Sequence, residues 1–222
     1  MTTSAVAVVT GAYRGLGLET ARQLAAAGYR VVLTARRDAE GRAAAEKLAA
    51  GGADVRFARL DVTAAESIRE LRDQLKRDFG RIDVLVNNAG IFPDPGPGSP
   101  GSSIFDADLD TIRSGFETNT LGALRLCQEL VPLMAGRGCV VNVSSGMGQL
   151  SDMNGCCPGY RLSKTALNAV TRIFADELQG TDIKVNSVCP GSVSYTHLTL
   201  PTTCNLCSSR WSADGESRGG GG

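Results

Sequence analysis

Residues 5–17 read Ala5-Val6-Ala7-Val8-Val9-Thr10-Gly11-Ala12-Tyr13-Arg14-Gly15-Leu16-Gly17. The run 5–10 is short, apolar and rich in Val, the pattern of a strand buried on both faces within a parallel sheet. A glycine-rich turn follows, then a helical stretch to about Ala27 that Gly28 ends. Strand, turn and helix are the parts of a phosphate site. Glycines let backbone approach a pyrophosphate, and a helix N-terminus faces it with free N–H groups. The spacing is GxxxGxG rather than the GxGxxG of the commoner dinucleotide fingerprint. Tight helix–sheet packing without a ligand is the competing reading of this turn.

The chain on either side keeps the same rhythm. Strands are expected at Arg30–Ala35, Val55–Leu60, Ile82–Asn87, Cys139–Val143 and Ile183–Cys189. Helices are expected from Asp38 to Ala50, up to Phe79, from Asp108 to Met134, and from Tyr160 to Leu178. Asp38 is placed to cap its helix, and Thr63 with Glu66 forms a capping box for the next. Alternating strands and helices of this length mean βαβ units, a parallel sheet and helices on both of its faces. The Pro/Gly/Ser-rich stretch 93–103 reads as a loop inserted at the strand ends, because the α/β rhythm resumes after it.

Composition narrows the function. The chain has 222 residues, enough for one α/β domain, and 23 basic residues balance 23 acidic ones. That balance argues against a general binder of nucleic acid or membrane surfaces. No apolar run approaches the ~18 residues of a membrane span, and the start lacks the pattern of a secretory leader. Seven cysteines form no recognisable metal or disulfide framework, Cys204-Asn205-Leu206-Cys207 included, and an odd count fits reduced thiols. A cytoplasmic protein with no metal is the expectation.

The end of the second strand bears on the ligand. An acid about 20 residues past the glycines would bind a ribose 2′-hydroxyl. That place holds Arg36-Arg37 instead, and Arg14 reaches the same region from the turn. Guanidinium groups suit a phosphate, so the reading is NADP(H).

Tyr160 and Lys164 supply the candidate chemistry. They stand four apart in a helical segment, on one face and one turn apart. A phenol titrates near ~10, and a neighbouring ammonium favours the phenolate and lowers that value. The pair is therefore a proton donor and acceptor suited to near-neutral pH.

Seven pieces occur in order: TGAYRGLG at 10–17, LDV at 60–62, NNAG at 87–90, Asn119, VNVSS at 141–145, YRLSK at 160–164 and VNSVCPG at 185–191. In these the chain resembles the short-chain dehydrogenase/reductase family, over roughly residues 5–193. The runs VVLTARRDAEGRAAAEKL and IDVLVNNAGI resemble its NADPH-dependent carbonyl reductases. The resemblance implies a three-layer, doubly wound Rossmann fold. It implies Tyr160 as proton donor and acceptor and Lys164 as its tuner, also bonded to the nicotinamide ribose. Ser145 would hold the substrate carbonyl; it is preferred to Ser144 because the family's Ser-x-x-Gly fits Ser145 to Gly148. Asn119 would hold a water in a relay to Lys164. Cofactor contacts would come from Gly11, Tyr13, Arg14, Gly15, Leu16 and Gly17 in the turn. Further contacts would come from Arg36, Asp61, Val62, Asn88, Ala89, Gly90, Tyr160, Lys164, Pro190 and Gly191, with Asp61 at the adenine. The implied reaction is hydride transfer between NADPH and an aldehyde or ketone. An NADP-binding protein with little turnover is the alternative. A monomer or homodimer is expected rather than a tetramer.

The last stretch departs from the family. After Val193 the expected turn, helix and seventh strand are replaced by Ser194-Tyr195-Thr196-His197-Leu198-Thr199-Leu200-Pro201-Thr202-Thr203, a Cys-containing stretch and Gly219 to Gly222. Residues 194–222 show no useful periodicity, and Val193 to Thr202 look like translated adapter sequence. They are expected to lie outside the evolved fold, with 1–193 as the nucleotide-binding and catalytic domain. The sixth strand would then be an exposed edge.

Overall fold

The computed structural model describes residues 4–191; the calls on residues 192–222 lie outside the described residues. Six parallel strands form one sheet: β1 (Val6–Val9), β2 (Arg30–Ala35), β3 (Val55–Arg59), β4 (Val84–Asn87), β5 (Arg137–Val143) and β6 (Asp182–Val188). Their order is β3-β2-β1-β4-β5-β6. The order reverses direction between β1 and β4, which opens a crevice at their carboxyl ends.

The period of two along β1 explains the layering. Val6 and Val8 point into a core with Ile68, Leu71 and Leu75 of α3 (Ala65–Phe79) and with Leu126 and Leu130 of α5 (Gly122–Leu130). Ala7 and Val9 point into the other core, with Ala21 of α1 (Gly15–Ala26) and Ala44 and Ala45 of α2 (Asp38–Ala49). A strand clad on both sides must be apolar at every position, as 5–10 is. Removing one fully buried side chain such as Leu71 or Leu130 would cost about 2–5 kcal/mol. On the α1–α2 side the core thins beyond β1, where Val84, Val141 and Val143 are only half-buried. Among the described residues, β6 pairs with β5 alone.

Three local expectations need correction. The helix after Asp61 starts at Ala65, and its cap residue, Ala64, makes no side-chain bond. Thr63 therefore forms no capping box: its hydroxyl donates to Asp61 Oδ1 at 2.7 Å, and Glu66 pairs with Arg69. The asparagine-like local turn around Asp61 competes for the threonine and wins. Asp38 is likewise inside α2 rather than capping it, with its carboxylate on Arg42 one turn on. The stretch 108–134 is not one regular helix. It comprises α4 (Leu109–Gly115), a π-helical turn (Phe116–Leu121), α5, and a 3₁₀ turn (Val131–Met134). Glycines flank the π turn because backbone passes there. A Cβ on Gly115 would lie 2.9 Å from Gly159 O, and one on Gly122 would lie 3.0 Å from Val62 O.

Candidate active site

The crevice at the strand ends is a cleft of about 1330 Å³. One wall is the turn between β1 and α1. Gly11 has a left-handed φ of 61°, and a Cβ there would lie 2.9 Å from Ala89 Cα. Gly17 is closer still, since its Cβ would sit 2.4 Å from Asn88 Nδ2. Asn88 uses that space as a clamp: Nδ2 donates to Thr10 O at 2.8 Å and to Gly11 O at 3.2 Å. In return the Thr10 hydroxyl oxygen accepts from the backbone N–H of Asn88 and Ala89, at 3.0 and 2.9 Å. The turn is thus held from β4 while the N-terminus of α1 faces the cleft, the arrangement an anionic diphosphate needs.

Positive charge gathers beside it. Arg14, Arg36 and Arg37 all line the cleft. Arg14 lies over the Tyr13 ring, 5.2 Å from its centroid. Asp61 closes this end. Partial burial pushes its carboxyl up, but bonds from the Thr63 hydroxyl and N–H, with Arg36 and Arg59 nearby, outweigh that and hold it below its ordinary value.

At the other end stands α6 (Pro158–Glu177), which carries Tyr160 and Lys164. Tyr160 lines the cleft, and its ring packs on Phe92 with centroids 4.7 Å apart. Lys164 is buried, and its Nζ donates to Val143 O at 2.8 Å and lies 5.7 Å from the Tyr160 ring centroid. Burial pulls its pKa down to about 8. Gly90 of the cleft wall packs beside it, since a Cβ there would come 3.5 Å from Nζ.

Most of the residues read from sequence meet on one surface. Gly11, Tyr13, Arg14, Gly15, Leu16, Arg36, Asp61, Val62, Asn88, Ala89, Gly90, Tyr160, Pro190 and Gly191 line the cleft. Gly17, Asn119, Ser145 and Lys164 are not among the residues that line it. The carboxamide of Asn119 is engaged: Oδ1 accepts from Ile91 N at 2.8 Å, and Nδ2 donates to Ile91 O at 2.9 Å and Ser163 Oγ at 3.0 Å. Its side chain thus pins the segment after β4 to α6. Ser144 is buried with its hydroxyl directed to Lys164 O, whereas Ser145 is half-buried and accepts from Met147 N at 3.2 Å. Of the two, Ser145 is the one nearer solvent.

Several contributors were not legible in the sequence. Thr63, Ile91, Ser114 and Thr118 also line the cleft. Asp94, buried, accepts from the backbone N–H of Gly159 at 2.8 Å and of Tyr160 at 2.7 Å. A carboxylate at the first turn of α6 satisfies donors that lack partners within the helix, and it complements the helix dipole. The available signal was a lone acid fixed between two prolines, Pro93-Asp94-Pro95. It lay in a stretch whose composition says only loop.

A doubly wound parallel sheet with a glycine-rich turn at its switch point is the architecture of a dinucleotide-binding domain. The model of the short chain dehydrogenase family matches residues 5–204, and the chain belongs to that family. The match runs past Val193, where the sequence reading closed the domain. Among relatives, a protein named carbonyl reductase [NADPH] 3 from Mus musculus is 42% identical, covering 86% of this chain and 82% of its own. A trans-4-hydroxycyclohexanecarboxylate dehydrogenase from Sinomonas cyclohexanicum is 39% identical, over 85% of this chain and 72% of that one. A crystal structure of a metagenomic short-chain oxidoreductase in complex with NADP superposes with a TM-score of 0.74 at 33% identity. It covers 86% of this chain and 83% of that one.

Proposed function

We propose that this protein is an NADP(H)-dependent oxidoreductase that reduces the carbonyl of an aldehyde or ketone, reversibly with the alcohol. The observation that carries the reading is Lys164. It is a buried ammonium one helical turn from Tyr160, beside a glycine in the wall of a cleft whose far end is lined by three arginines. The relatives' names and the NADP-bound neighbour support the same cofactor.

The glycine turn and the N-terminus of α1 would hold the diphosphate, and Arg14 and Arg36 the 2′-phosphate. The nicotinamide, when bound, supplies the hydride. Tyr160 gives its phenolic proton to the carbonyl oxygen as negative charge develops there, and takes it back in oxidation. Lys164, when protonated, favours the phenolate. Its lowered pKa means that an anionic ligand in the cleft would raise its charged fraction. Ser145 would donate a hydrogen bond to the substrate oxygen. Asn119 fixes the wall between Ile91 and α6.

The test mixes the protein with NADPH and a reactive dicarbonyl, follows cofactor absorbance, and titrates NADPH binding separately. Saturable oxidation of NADPH is the expected result. Binding without turnover would identify an NADP-binding protein instead, and absence of binding would defeat both readings.

A further inference from the structure

Four residues before Tyr160 the chain carries two adjacent cysteines, Cys156 and Cys157, both reduced. Their sulfurs lie 2.9 Å apart, in hydrogen-bond contact with each other. The two side chains converge because of the backbone. Cys157 has a left-handed φ of 54°, unusual and costly for a non-glycine residue, and it immediately precedes α6. That conformation is held from outside the pair. Cys157 N donates to Ser102 O at 2.7 Å, and Cys156 forms an isolated bridge with Ser103. Arg161, buried on α6, donates from Nε to Cys156 O at 2.8 Å. The inserted loop therefore presses two thiols together at the entry to the helix that carries Tyr160.

We propose that Cys156 and Cys157 are a dithiol modification site, closed to a vicinal disulfide by a small-molecule disulfide. The Cys156 sulfur, half-buried beside Gly155, attacks the small disulfide and displaces one of its thiols, giving a mixed disulfide. The Cys157 sulfur then attacks Cys156 Sγ, loses its proton and displaces the second thiol. Two electrons pass from the dithiol to the small disulfide, and two small thiols leave. Cys157 is the second actor because burial pushes its thiol up to about 11, leaving little thiolate to start the reaction. Contact with Cys156 compensates by making the second step intramolecular.

The product is a reversible mark rather than a structural brace. Adjacent Cα atoms stand about 3.8 Å apart, short of the about 4.4–6.8 Å usual for disulfides. A bond closed across that span is readily reduced. Closing the ring turns the Cys156 and Cys157 side chains at the point where Cys157 O accepts from Arg161 N, the first bond of α6. Oxidation is therefore expected to shift the start of α6 and lower turnover, a consequence that rests on the reading of Tyr160 given above.

The experiment incubates the full chain with glutathione disulfide and maps its unreduced peptides by mass. The peptide holding both cysteines is expected to lose two hydrogens and to regain them with dithiothreitol. In Cys157→Ala, Cys156 should stop at the stable glutathione adduct. A wild-type peptide that also stops at the adduct, or remains unmodified, would overturn the proposal. Turnover is measured in parallel, each form against its own reduced state. A fall of several-fold in the wild type and not in Cys156→Ser supports the regulatory consequence; ring closure with unchanged turnover removes it. The peptide map decides the site even if no carbonyl is reduced by any form.

Discussion

The two ends of the cleft are built in different ways. At the proposed nucleotide end, thirteen consecutive residues supply strand, turn and helix start, and glycines shape the cradle. At the proposed catalytic end, the first turns of α6 are set by Phe92, Asp94 and Asn119, remote in sequence from Tyr160, and by the adjoining loop 146–157. A backbone cradle needs only glycines at the right places, and sequence shows glycines. A side chain aimed at a reacting atom needs its helix anchored, and the anchors come from wherever the chain happens to pass.

Substitutions at the two ends should therefore separate binding from turnover. Tyr160→Phe keeps the ring and its packing on Phe92 but deletes the hydroxyl. Turnover should fall by about 10²-fold or more, with NADPH affinity nearly unchanged. Near-normal turnover in this variant would show that the catalytic end has been misassigned.

At the other end, Arg36→Asp replaces a cation with an anion where the 2′-phosphate would sit. Charge-assisted bonds contribute about 1.5–3 kcal/mol, so the ratio of NADPH to NADH affinity should drop by at least about tenfold while turnover at saturation changes less. Equal affinities for the two nucleotides before and after the change would remove the basis of the preference.

A third measurement tests the burial of Lys164 without any substrate. Its folded pKa of about 8 is below the ordinary lysine value, so the unfolded chain binds more protons between those limits. Stability must then rise with pH through that window, and the burial cost is full below it. Relative to Lys164→Met, the wild-type protein should gain about 2 kcal/mol between pH 7.5 and 9.5. Denaturant unfolding of both proteins across that range checks it; parallel curves would mean that Lys164 is not desolvated.

The smallest expected effect belongs to Asp94. Asp94→Asn keeps the shape but weakens the bonds to Gly159 and Tyr160 N–H, and turnover should fall about tenfold with nucleotide affinity retained. Asp94→Glu should recover part of the loss if the carboxylate itself sets the helix. An equal loss of nucleotide affinity would blur the distinction between the two ends.

The sequence by itself determined the layered α/β plan and the nucleotide end. All six strands fall near where apolar runs, alternation and glycine punctuation put them, because burial patterns and turn geometry are local requirements written residue by residue. It also determined the Tyr160–Lys164 pair, since four residues of helix fix their relation. Tertiary structure alone decided the rest. The expected caps at Thr63 and Asp38 gave way to a turn and an ion pair, since those side chains had nearer partners. The helix expected over 108–134 broke into a π turn where Gly115 meets the backbone of α6 and Gly122 that of Val62. Asp94 became the anchor of α6 although its neighbours read as loop, and Cys156 and Cys157 came into contact through the backbone that the same loop holds. Pairings between distant segments leave no periodic trace in either one; they exist only once the chain has closed.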